Sequence, residues 1–241
     1  MYRRWYFMNS AVVSLTDQLG AAKLLPPPPI RPRILVSGAC RGIGLRCAEA
    51  LSARGAELLL CDIDGERLVD VAERLGAAAH FGCDVASEAN VGHLTERLSG
   101  QFQSLDMLIN AAGGGYARTL GMYRMSRALM PALRQGMHKL LVNAPPSGRD
   151  ADVPAFPYAS SRLAFHRLSS ALAFEARGAP IHVWIACASR RRLVPVTPDP
   201  NAGSWADSCD AGGASDEDIE TMARQVASLL DEQKAARRHA G

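Results

Sequence analysis

Arg33-Ile34-Leu35-Val36-Ser37-Gly38-Ala39-Cys40-Arg41-Gly42-Ile43-Gly44 joins an apolar run to a glycine-rich turn and then to a helical pattern. Read in order, this is a strand, a tight turn and a helix N-terminus. Glycines allow the chain to reverse sharply and let a ligand approach the backbone closely. The helix start that follows offers free N–H groups and the positive end of the dipole, a combination that attracts a diphosphate. The spacing is GxxxGxG rather than the commoner GxGxxG. Gly38, Arg41, Gly42, Ile43 and Gly44 are therefore candidates to hold a dinucleotide, although a glycine turn alone can also be purely steric.

Outward from that stretch, short β-type runs recur at Ile34 to Val36, Leu58 to Cys61, Ala79 to Phe81, Met107 to Ile109, Leu140 to Val142 and Ile181 to Ala186. Helical patterns lie between them, at Ile43 to Ala53, Glu66 to Leu75, Val91 to Leu98, Tyr123 to Leu133 and Ala159 to Ala176. Continuous apolar strands imply burial on both faces, hence a parallel sheet covered by helices. The alternation predicts an α/β, doubly wound parallel sheet, with ligands at the carboxyl ends of its strands. One such domain is expected over residues 31–241. Residues 1–30 read as an extension ending in a stiff spacer, Pro26-Pro27-Pro28-Pro29. A secretory signal fits this extension less well, because Asp17 and Gln18 interrupt its apolar part. Asp199 to Gly213 reads as a loop, and Ser215 to Asp218 as the cap of a last helix whose apolar face is Ile219, Met222, Val226, Leu229 and Leu230.

Composition narrows the function. With 27 basic against 24 acidic residues, the net charge of +3 is too balanced to argue for nucleic-acid binding. No apolar stretch is long enough to cross a bilayer. The six cysteines lack metal-type spacing and several fall in strand runs, so they read as small hydrophobes of a reducing cytoplasm.

Three further markers close successive strands. Asp62 ends the second run, about twenty residues beyond the glycine turn, where a carboxylate can accept from both adenosine ribose hydroxyls and repel a 2′-phosphate. Asp62-Ile63-Asp64-Gly65 is also good turn chemistry. Arg41 pulls the other way, since it could reach a 2′-phosphate; NAD is favoured over NADP. Asp84-Val85 follows the third run, and Asn110-Ala111-Ala112-Gly113 the fourth. Small residues there would let a ring or ribose lie against the backbone.

With the glycine turn, Asp62, Asp84-Val85, Asn110-Ala111-Ala112-Gly113 and Tyr158 in this order, the chain resembles the short-chain dehydrogenase/reductase family over about residues 31 to 231. The resemblance implies a Rossmann fold, a nicotinamide cofactor and interconversion of an alcohol and a carbonyl by hydride transfer. It implies that the glycine turn holds the pyrophosphate, that Asp84 and Val85 lie around the adenine, and that Asn110, Ala111 and Gly113 support the central strand and the cofactor. It also implies a small-molecule alcohol or carbonyl substrate and a homodimer or homotetramer joined through the helices at 123–133 and 159–176.

The reaction centre departs from the family's pattern. Its Tyr-x-x-x-Lys pair is matched by Tyr158 and Arg162, four residues apart and so on one helix face. A phenol is a poor base at neutral pH, and a neighbouring cation favours its ionised form. Arg162 supplies that charge, with a different shape from an ammonium. Pro146 stands where the family has its serine. Ser147, one residue on, is the remaining candidate to orient a carbonyl, or else a turn residue before Gly148. Gly114 to Leu120 is short, as though most of one helix were missing, and the family's final strand is not recognisable after Leu230. Two main readings follow: an oxidoreductase with Tyr158 as acid/base, and a catalytically impaired cofactor-binding protein acting as sensor or partner subunit. Arg190-Arg191-Arg192 could meet an acidic substrate but reads more simply as a solvated charge run.

Overall fold

The computed structural model describes residues 31–112, 115–145, 155–197 and 214–238, with backbone alone at 115–116, 155–162, 189 and 233–238. The sheet strands are β1 (Arg33–Ser37), β2 (Glu57–Asp62), β3 (Ala79–Gly82), β4 (Met107–Asn110), β5 (Leu140–Asn143), β6 (His182–Cys187) and β7 (Arg192–Pro195). Their helices are α1 (Gly42–Ser52), α2 (Gly65–Leu75), α3 (Glu88–Gln101), α4 (Gly115–Gln135), α5 (Ala155–Glu175) and α6 (Asp216–Arg238). The extension at 1–30 and the loop at 199–213 lie outside the described residues.

The strands are ordered β3-β2-β1-β4-β5-β6-β7. The first six run parallel, and their alternating side chains serve two separate cores. Ile34, Val36, Leu58, Leu60, Met107 and Ile109 face α1, α2 and α6, whereas Leu35, Leu59, Leu108 and Leu141 face α3, α4 and α5. Burial on both faces is why these runs show no polar alternation. Strand order reverses between β1 and β4, and a crevice at the carboxyl ends of the strands is the usual ligand position in such sheets.

Local signals place several helix ends. Asp64 caps α2 by accepting from Arg67 N at 3.2 Å, and Gly76 closes that helix in the left-handed region at φ 62°. Ser87 caps α3 through Asn90 N. At α6, Ser215 Oγ accepts from Asp218 N while Asp218 Oδ2 accepts from Ser215 N, a reciprocal box as the sequence implied.

The expected parallel sheet of six strands gains a seventh that the sequence did not announce. β7 pairs antiparallel with β6, in register Ile185 with Val194. The arginine run conceals this strand, because only Val194 within it is buried and an edge strand of four residues has too short an alternation to read. Arg191 is no free solvated charge either. It turns through φ 50° and pairs with Asp218 and Glu217 of α6. After β4, the chain enters α4 at Gly115 as a single helix of 21 residues.

Candidate active site

The glycine turn sits at the carboxyl ends of β1 and β2, tied to both. Gly38 N and Ala39 N both donate to Cys61 O, at 2.9 and 3.2 Å. Gly38 has φ +72°, and a Cβ there would lie 2.6 Å from Ala112 N. A Cβ on Gly44 would lie 2.1 Å from Gly38 O, so α1 packs directly on the turn. Gly42 differs: its φ is +54°, yet nothing lies within 4 Å of where a Cβ would stand. The α1 N-terminus beside it receives no side-chain cap, and its first turn carries no acidic residue. Uncapped N–H donors beside an open glycine face fit a diphosphate.

Asp62 is buried and braces this turn. Its Oδ2 accepts from Cys40 N at 2.9 Å and its Oδ1 from Asp64 N at 3.1 Å. Arg41 Nη2 meets Asp64 Oδ2 at 3.1 Å on the rim. Between the two carboxylates stands Ile63, 59 % exposed, an apolar surface suited to one face of a base. Burial and the neighbouring Asp62 carboxylate push the Cys40 thiol up to about 12, so it stays protonated and packs as a hydrophobe. The five described cysteines are buried, and none of them is in a disulfide.

Asp84 and Val85 fall at the end of β3 as expected, but with local duties. Asp84 Oδ1 accepts from Ala86 N at 3.0 Å, and the Val85 side chain is buried in the core on the α4 side. Gly121 of α4 comes so close that a Cβ would lie 2.3 Å from Val85 O.

Asn110 is the hub of a buried polar network. Its Nδ2 donates to Ser126 Oγ of α4 and to Asn143 Oδ1 of β5, both at 2.9 Å. Asn143 Nδ2 donates onward to Ser169 Oγ of α5 at 3.2 Å. Asn110 Oδ1 is buried without a partner among the described residues, and Gly113 lies outside them. Ala111 N donates to Ser37 O at 3.1 Å, completing the join of β4 to β1. The network thus fastens α4 and α5 to the carboxyl edge of the sheet. Asn143, Ser126 and Ser169 were missed by sequence reading. One signal was available: Met107 to Asn110 and Leu140 to Asn143 are both three apolar residues followed by asparagine.

Tyr158 and Arg162 both lie on α5, near its N-terminus, with side chains outside the described residues. Pro146 and Ser147 also lie outside them. The described residues hold no cluster of His, Cys, Asp and Glu suited to a metal and no helix long and apolar enough to cross a membrane.

Comparison with known proteins agrees with this fold. Residues 32–120 match the family model described as short chain dehydrogenase. The chain is 29% identical over 197 residues to a rhamnolipids biosynthesis 3-oxoacyl-(acyl-carrier-protein) reductase of Pseudomonas aeruginosa, covering 70% of this chain and 77% of that one. It is 26% identical over 195 residues to an L-fucose dehydrogenase of Oryctolagus cuniculus, covering 70% and 68%. Among solved structures, Pseudomonas aeruginosa RhlG in an NADP active-site complex superposes with a TM-score of 0.62 at 26% identity, over 83% of this chain and 90% of that one.

Proposed function

Since the chain belongs to the short-chain dehydrogenase/reductase family, we propose that it interconverts a small alcohol and its carbonyl, using NAD in preference to NADP. The observation that carries this reading is the glycine turn: an open face at Gly42 beside the uncapped start of α1, held in shape by Asp62. Gly38, Gly42, Ile43 and Gly44 would hold the diphosphate through their backbone. Asp62 would meet the adenosine ribose, Ile63 the base, and Asn110 with Ala111 would support the nicotinamide half.

When bound, the nicotinamide gives or takes the hydride. The remaining chemistry falls to the chain. Tyr158 exchanges a proton at the substrate oxygen, and its phenolate is favoured by the permanent charge of Arg162 one helical turn away. Ser147 orients the carbonyl. The Asn110–Asn143–Ser169 bonds support the role of Tyr158 by locking α5, its helix, to the strand ends. We further propose a cytoplasmic homo-oligomer in which residues 31–241 form the binding domain and 1–30 an extension.

Fluorescence titration with NADH, followed by turnover on a panel of ketones and secondary alcohols, tests this reading. Tyr158→Phe should reduce turnover by about 10²–10⁴-fold while leaving NADH binding in place. Equal activity in that variant would remove the acid/base assignment. Binding without turnover on any panel member would favour the second reading, a sensor or partner subunit, to which Pro146 and Arg162 already point.

A further inference from the structure

We infer that Asp64 decides which adenosine end this site accepts, by occupying Arg41. The inference rests on the function proposed above and concerns the same site. Both oxygens of Asp62 already accept backbone N–H groups, from Cys40 and from Asp64 itself, so its first duty is to brace the turn. The basic side chain within the glycine turn is Arg41, the natural partner for a 2′-phosphate. Its guanidinium instead meets Asp64 Oδ2 at 3.1 Å.

That carboxylate is itself fixed in place. Its other oxygen, Oδ1, accepts from Arg67 N at the first turn of α2, and the backbone N–H of Asp64 is held by Asp62. A phosphate reaching Arg41 would therefore lie beside a carboxylate that cannot swing away without uncapping a helix. A 2′-hydroxyl carries no charge and meets no such barrier. Discrimination on this view comes from a pair of side chains, Arg41 and Asp64, and not from Asp62 alone.

The substitution that isolates the charge is Asp64→Asn, because asparagine is as good a cap as aspartate and keeps the acceptor for Arg67 N. The probes are ADP-ribose and its 2′-phosphorylated form, which report on the adenosine end without any hydride chemistry. Calorimetric titration of the unsubstituted chain should favour ADP-ribose. In Asp64→Asn the ratio of the two dissociation constants should move about tenfold toward the 2′-phosphate, as expected for removing one charge beside another near a surface. That gain should shrink at high salt and shrink further when Arg41→Ala is added, since the phosphate then has no cation to draw it beside position 64. A ratio unchanged within about twofold overturns the inference, as does an unsubstituted chain that already prefers the 2′-phosphate. If the folded, unsubstituted chain binds neither probe, the proposed function falls and this inference with it, a result distinct from binding that fails to discriminate.

Discussion

Asp106 is a carboxylate with four partners, at the opposite end of the sheet from the candidate site. It accepts from the backbone N–H groups of Arg33, Met137 and His138, and the His138 ring Nδ1 lies 3.2 Å away. Burial alone would push its pKa up, but the His138 ring and the three N–H donors outweigh that and hold it at about 2, against an ordinary 3.8. A carboxylate depressed in the folded state adds stability above its unfolded value and surrenders it as pH falls toward the folded one. The difference corresponds to about 2 kcal/mol. Chemical denaturation should therefore show stability falling between about pH 4 and pH 2, with Asp106→Asn less stable at pH 7 and flatter across that range. Equal slopes for both proteins would refute this role for Asp106. Residue by residue, the site was legible where one side chain acts on its own neighbourhood. Gly38, Gly42, Gly44, Asp62 and Asn110 stand out by type and position. Asp64 did not, because its partner Arg41 is 23 residues away and only the fold brings them together.

Elements meet in this protein through missing side chains as much as through packed ones. α1 lies on the glycine turn at Gly44, and α4 lies on the loop after β3 at Gly121; in both places a Cβ would fall well inside contact distance of a backbone oxygen. Gly44→Ala and Gly121→Ala should each cost about 1–3 kcal/mol or more by forcing a helix off its neighbour. Gly44→Ala should also abolish NADH binding, since the turn would have to move. Gly92, on the exposed face of α3 with open space around it, is the contrasting case. Gly92→Ala should raise stability by about 0.5–1 kcal/mol. Thermal melts of the three variants check the order. The strand and helix runs were readable because each is dictated by its own apolar spacing and caps. β7 was not, since its identity as a strand depends on β6 offering an edge.

The molecule as a whole divides its core between two helical layers, and α4 with α5 forms one paired unit of the second. Tyr123 OH donates to Glu175 Oε1 at 2.6 Å, and Arg127 Nε lies 3.1 Å from Glu175 Oε2. On α5, Leu163 and Phe174 remain about half exposed, at 49% and 52%, and Arg177 lies over the Phe174 ring. Large apolar side chains exposed on one helix suit the proposed contact between copies. Light scattering should show a dimer or tetramer, and the pair of changes Leu163→Arg and Phe174→Arg should shift it toward monomer with little loss of melting temperature. A monomeric unsubstituted chain would remove the expectation. What this sequence determined by itself is what acts over a few residues: six strands, most of them buried, their helices, the reversal at Gly38 to Gly44 and the cap at Ser215. Only the tertiary structure decided the antiparallel edge, the Arg41–Asp64 pair, and the bonds joining Asn110 to Ser126 and Asn143. Those depend on which strands lie side by side and in what register, and no local spacing encodes that.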